Sequence, residues 1–203
     1  MVDIWPFFGT RPYNQDAKTL IAPSTDHLSI ENIEIFRKNN YWNYLKILNP
    51  VGQLKEKDSL LEAKSHFNEM KNNNVIKKDS LLHFYIYQIE LDGHVQLGFL
   101  SLASIKDFEK RIIKPHEKIY ESRKIERADQ MMNLSTQIGP IYVSYPQENN
   151  IHDLLSSQIL KSPSYDFESF DHSIHRLWCV NNIKFIEELK SLMENVNAIY
   201  IAD

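Results

Sequence analysis

Cys179 is the sole cysteine in a chain of 203 residues. An intrachain disulfide is therefore impossible, and so is a zinc site built on several thiolates. Glycine is scarce as well, five in all. None sits in a Walker-type loop or a Gly-x-Ser-x-Gly elbow, so P-loop phosphate binding and an α/β-hydrolase site both lose support. No apolar run approaches the ~20 residues that span a bilayer. The opening "MVDIWPFFGTRP" has no charged segment followed by an apolar core, so no membrane role is expected and a cytoplasmic location is. A basic excess is missing too: 23 Lys and Arg against 27 Asp and Glu give a net charge of -4. Nucleic acid is accordingly not an expected partner.

What is present is an ordinary globular composition, 42% hydrophobic and 25% charged, which argues against disorder, coiled coils and collagen-like repeats. At this length a folded chain buries roughly 70% of the surface exposed by its unfolded form. That suffices for a single domain over residues 1–203 or for two closely packed lobes. The clearest local signal is "LLHFYIYQIELDGHVQLGFLSL", two aromatic and β-branched runs around Asp92-Gly93. An Asp-Gly pair supplies the positive φ values of a two-residue turn and predicts an antiparallel hairpin. Ile30, Ile33 and Phe36 predict a helix capped by Ser29 and stopped at Asn39-Asn40. Leu60, Leu61, Ala63, Lys64, Phe67 and Met70 repeat the helical spacing.

"YLKIL" at 44–48 reads as a strand, whereas "KNNNVIKKD" at 71–79 and "SPSYDFESFD" at 162–171 read as connecting loops. Ser104 is placed to cap a short helix from Ile105, and further helices are predicted near 121–135 and 151–160. "HSIHRLWCV" reads as a strand, and Asn181-Asn182 precede a last helix that feeds the terminal strand "NAIYIAD". A hairpin combined with strand–helix–strand predicts an α+β fold, a mixed sheet flanked by amphipathic helices.

Functional side chains are densest in "IIKPHEKIYESRKIERAD". His116 beside Glu117 suits acid–base work because imidazole titrates near neutrality, and Arg123 and Arg127 offer planar donors to phosphate or carboxylate. The same stretch also reads as a solvated charged helix behind a loop histidine. A metalloprotease-type zinc site fails on spacing, since position 120 is Tyr rather than His, and no metal site is expected. In "HSIHRLW", alternation sets His175 and Leu177 on one face and Arg176 and Trp178 on the other. Each is a candidate ligand contact, and Arg176 stacked on Trp178 is the plainer alternative. Arg11, in "FGTRP", is a weak anion candidate beside a lone Gly9.

Taken in order, "PFFGTRP", "IAPSTDHLS", "IKPHEKI", Arg127, "GPIYVSYP", "HRLW" and "IYIAD" run from one end of the chain to the other. Together they resemble the bacterial and archaeal family catalogued as domain of unknown function 1015, with ParB- and sulfiredoxin-like relatives. In that family the strand matching "YIAD" is typically continued by Gly-His-His-Arg and a helix. The resemblance therefore implies that Asp203 leads into a His- and Arg-rich loop, and that this chain is cut just before it. A loop-to-helix turn of that kind offers backbone N–H groups and a positive helix end to phosphate. Two departures stand out. Ser24-Thr25 replace the usual Pro-Tyr before Asp26, and Lys124-Ile125 replace acidic residues, which weakens magnesium coordination by this helix.

The resemblance implies the N-terminal part of a protein that handles a nucleotide or another phospho-ligand, extending to a small-molecule phosphotransferase with a nucleotide and Mg²⁺ as cofactor. Asp26, His116, Glu117 and Arg127 would line a cleft near the end of the terminal strand. Glu117 or Asp26 would polarise a hydroxyl or hold a cation, His116 would shuttle a proton, and Arg127 would clamp phosphate. Arg11, Glu126, His175, Arg176 and Asp203 would complete ligand binding. Phosphoryl transfer rests on positioning and charge neutralisation, so without the His/Arg loop the chain is expected to be inactive. The alternatives are a non-enzymatic binding or regulatory module and a purely structural ion-pair network.

Overall fold

A computed structural model describes residues 1–13, 17–22, 29–48, 56–116 and 121–202. Among them are eight helices and eleven strands, an α+β fold. The chain divides into two compact units, one made of Met1–Gly9, Asp79–Lys118 and Ile141–Asp203, the other of Thr10–Lys78 and Ile119–Pro140.

The first unit opens with β1 (Ile4–Trp5), which pairs with β6 (Leu102–Ala103). Its hairpin is β4 (Phe84–Leu91) and β5 (His94–Leu100), and Asp92 and Gly93 take φ of 51° and 77°. Both turn residues thus adopt the left-handed values that keep the strands twisting correctly. β10 (Ile174–Val180) lies antiparallel to β4 on one side and to β9 (Tyr165–Glu168) on the other, giving the order β5-β4-β10-β9. Phe84, Ile86, Trp178 and Val180 share one face of this sheet. They form a core with Ile151 and Leu155 of α7 (Asn149–Ile159) and with Phe185, Leu189 and Met193 of α8 (Ile183–Glu194). A second sheet sets β11 (Ile199–Ile201) between β7 (Ile113–Lys114) and β8 (Val143–Ser144). A short helix, α5 (Ile105–Glu109), precedes β7.

The second unit is mainly helical: α1 (Ala17–Leu20), α2 (Ile30–Asn39), α3 (Leu45–Leu48), α4 (Glu56–Asn72) and α6 (Glu121–Leu134). A two-stranded ladder joins β2 (Thr10–Pro12) to β3 (Ile76–Lys78). Leu20, Ile47, Phe67, Met70, Val75, Ile76, Leu134 and Ile138 form its core.

Three local expectations are corrected. Residues 44–48 are not a strand: the Asn43 side chain accepts the Leu45 N–H at 2.9 Å, and Leu48 N–H closes a helical turn on Tyr44 C=O at 3.1 Å. A short apolar run satisfies either period, and the cap decides between them. The stretches read as loops at 71–79 and 162–171 contain β3 and β9. Both owe their strand geometry to partners far away in sequence, β2 and β10, rather than to a pattern of their own. On α4, Ala63, Phe67 and Met70 are buried as their spacing implies, while Leu61 is 56% exposed and Ser59 is 1% exposed.

Candidate functional site

β11 runs parallel to β7, with Ile199 opposite Ile113 and Tyr200 opposite Lys114. Both chains therefore leave the sheet at the same edge, Pro115-His116 from β7 and Ala202 from β11. β8 runs the other way and brings Ile141-Tyr142 to that edge, where Tyr142 C=O accepts the Ala202 N–H at 2.9 Å. His116, Ile141 and Tyr142 are all exposed there. The edge beyond the carboxyl ends of such strands is where α/β sheets hold ligands, because the departing loops converge on it. Glu117 and Asp203, the next residues in sequence, lie outside the described residues, and so does Asp26.

A different polar assembly crosses the four-stranded sheet. Asp171 and Ser173, in the turn that leads into β10, precede His175 on the strand, and Tyr87 reaches His175 diagonally from β4. Ser173 Oγ lies 2.5 Å from Asp171 Oδ1 and 2.7 Å from His175 Nε2, and Tyr87 Oη lies 2.5 Å from His175 Nδ1. The directions follow from the acceptor at the end. A carboxylate cannot donate, so Ser173 donates to Asp171. Nε2–H of His175 then donates to Ser173, and the Tyr87 hydroxyl donates to Nδ1. Burial holds the His175 imidazole below its ordinary range, with Asp171 pulling the other way, in keeping with a neutral ring. The Ser173 hydrogen bond leads in holding the Asp171 carboxyl low, and burial pushes the Tyr87 phenol up. Both imidazole nitrogens are engaged within the chain, so His175 has no ring nitrogen left to offer a ligand.

Arg176 projects from the opposite face. It donates to Glu90 Oε2 at 3.0 Å, Gln88 Oε1 at 3.2 Å and Asp166 Oδ2 at 3.3 Å. Trp178 on the same face is 5% exposed, and its indole N–H donates to Lys161 C=O at 2.8 Å. Cross-strand carboxylates thus take the guanidinium, whereas the indole belongs to the core.

In the second unit Arg127, exposed on α6, donates to Gln130 Oε1 at 3.1 Å. The buried Gln130 amide in turn donates to Ile47 C=O at 2.8 Å and Leu48 C=O at 3.0 Å, which ties α6 to α3. Burial pushes the neighbouring Tyr44 phenol up to about 12, against the pull of the Arg127 charge. Glu126 lies in α6, and its side chain is outside the described ones. Arg11 sits on β2 opposite Lys77.

Gly9 has a packing reason. Its N–H donates to Tyr85 Oη at 2.7 Å, and a Cβ there would stand 2.5 Å from that oxygen and 2.7 Å from Cζ. Tyr85 also donates to Asp79 Oδ2 at 2.7 Å. The glycine of "FGTRP" therefore serves a close backbone approach to Tyr85. A shallow depression of about 280 Å³ between β5 and α7 is lined by Leu97, Tyr145, Gln147, Glu148, His152 and Leu155. Among the described residues no three His, Cys, Asp or Glu side chains cluster as a metal site, and no helix is long and apolar enough to cross a membrane.

Sequence reasoning singled out His175 but missed Asp171, Ser173, Tyr87 and Phe167. The available signal was the closeness of 171, 173 and 175 in sequence, hidden because Asp171 falls in a segment that reads as loop. No curated protein and no solved structure matches the chain. The family model described as "Protein of unknown function (DUF1015)" matches residues 4–203, and the chain belongs to that family.

Proposed function

We propose that the carboxyl end of β11 seats a phosphate-bearing small molecule, a nucleotide in the family reading, with His116 as one of its contacts. The parallel β7–β11 pair carries this reading, because it delivers His116 and Ala202 to one edge. Protonated imidazole is a charge-assisted donor to phosphate, and the backbone N–H groups that follow a strand end supply further donors. In the finer reading the bound nucleotide donates a phosphoryl group to a small-molecule hydroxyl. Glu117 and Asp203, adjacent in sequence to His116 and Ala202, are the carboxylates available to polarise that hydroxyl. Bound Mg²⁺ would neutralise the phosphates. A binding or regulatory module without turnover is the second reading, favoured by Arg176, whose guanidinium is committed to Glu90, Asp166 and Gln88.

The test is an NMR titration of this chain with ADP, ATP, CTP and inorganic phosphate, each with and without Mg²⁺. The His116 imidazole and Ala202 amide resonances are expected to shift saturably, and His116→Ala is expected to weaken binding several-fold. If neither resonance moves at millimolar ligand, the site is not there.

A further inference from the structure

Three rings stand side by side across the four-stranded sheet. Phe167 on β9 stacks on His175 on β10, with centroids 5.4 Å apart and planes 16° from parallel. His175 stands beside Tyr87 of β4, centroids 5.9 Å apart and planes 28° from parallel, the two rings joined through the Tyr87 Oη–Nδ1 hydrogen bond. These separations are close to the ~4.8 Å spacing of the strands that carry them, so each strand contributes one rung. The next strand in the order is β5, at the edge of the sheet, and the residue it places opposite Tyr87 is Gly98.

Nothing in the chain's own backbone calls for glycine at that position. Among the described residues the positive-φ glycines are Gly93 and Gly139, so Gly98 lies outside the left-handed region, and a Cβ built on it would meet no described atom within 4 Å. The contrast is with Gly9, where a Cβ would collide with Tyr85. A mid-strand glycine without a dihedral or packing reason costs strand stability and marks a place where something else approaches the backbone closely.

We propose that Tyr87 and Gly98 form a binding slot for a planar heteroaromatic ring, of the nucleobase kind, which stacks on the free face of Tyr87 and occupies the missing rung above Gly98. The relay from Tyr87 through His175 and Ser173 to Asp171 holds the ladder in one orientation, so the ring meets a platform already in place. Gln96 and Leu100, the next residues on that face of β5, bracket the slot along the strand. Gln96 carries an amide that can both donate to and accept from the edge of a heterocycle. The occupant is a ring because the platform, the half-buried Tyr87, is a ring face, and base-on-aromatic stacking tolerates different bases. This inference is independent of the phosphate reading, since its residues lie on a different sheet from β11.

The experiment uses the whole chain with adenosine and nicotinamide as phosphate-free ring probes and ribose as the ring-free control. Adenosine is expected to bind saturably, to move the Tyr87 ring protons upfield and to leave His116 unmoved, and ribose is expected not to bind. Gly98→Leu fills the slot: its Cβ has room, and the rest of the side chain lies against Tyr87. It should keep the wild-type melting temperature and weaken adenosine binding at least tenfold. Tyr87→Leu removes the platform and gives the same loss should the position-98 variant fold poorly. Failure of both probes to bind at millimolar concentration overturns the proposal. So does adenosine binding that survives either substitution, and so does the finding that Gly98→Leu breaks a dimer instead, which would make the occupant another protein chain.

Discussion

His66 gives the most direct test of how this structure responds to acid. Its residue is 7% exposed on α4, and its Nε2 is buried with no hydrogen-bond partner among the described residues. Trp42 stacks on it at 5.8 Å and 28°, and Tyr41 meets it edge-on at 5.5 Å. Burial holds the imidazole below its ordinary range. The nearby Lys46 ammonium, which also sits 4.4 Å over the Tyr41 ring, acts in the same direction, and Glu69 opposes both. A histidine with a lowered folded-state value binds fewer protons in the native than in the unfolded state just below its ordinary titration near 6.5. Stability is therefore full above about pH 7, falls as pH drops through that ordinary value, and levels off once the folded form is protonated as well.

Replacement by leucine removes both the unmet hydrogen bond and the titration. An orphaned buried polar atom costs about 1–3 kcal/mol, and the two lost ring contacts return about 0.5–1.5 kcal/mol each. These nearly cancel, so at pH 7.5 His66→Leu should lie within about 1 kcal/mol of wild type. At pH 5 the variant should be the more stable of the two, because only wild type has a cation to accommodate there. Urea unfolding followed by circular dichroism across pH 4.5–8 reads this directly. His175, also held low by burial, contributes a separate acid-sensitive component, so the slope is expected to shrink and not to vanish. Superimposable pH profiles for wild type and His66→Leu would refute the reasoning.

Two further stability predictions follow from local geometry. Gly9→Ala should destabilise by about 1–3 kcal/mol through overpacking, given a Cβ 2.5 Å from Tyr85 Oη, and Tyr85→Leu in the same chain should recover part of that loss; equal melting temperatures for Gly9→Ala and wild type would contradict it. At the helix starts, Asn182→Ala should cost about 1 kcal/mol, because its side chain accepts the Phe185 N–H at 3.1 Å, whereas Ser104→Ala should cost far less, since Ser104 makes no such bond to α5. Chemical denaturation of the two variants side by side checks the contrast.

The sequence by itself determined the elements whose cause is local. The left-handed pair Asp92-Gly93 makes its hairpin whatever surrounds it, Ser29 and Asn182 cap the helices that follow them, and the apolar spacing of Phe185, Leu189 and Met193 puts one stripe of α8 into a core. Family membership was legible for a similar reason, as short motifs spread along the chain. Tertiary structure decided everything that depends on partners distant in sequence. β9 and β3 exist because β10 and β2 accept their hydrogen bonds, residues 44–48 are helical because Asn43 caps them, and Gly9 is a glycine because of Tyr85. The same holds for the ladder of Phe167, His175 and Tyr87 and for the empty place above Gly98. A strand's alternation says which residues share a face, but only the register with its neighbours says which side chains stand next to one another.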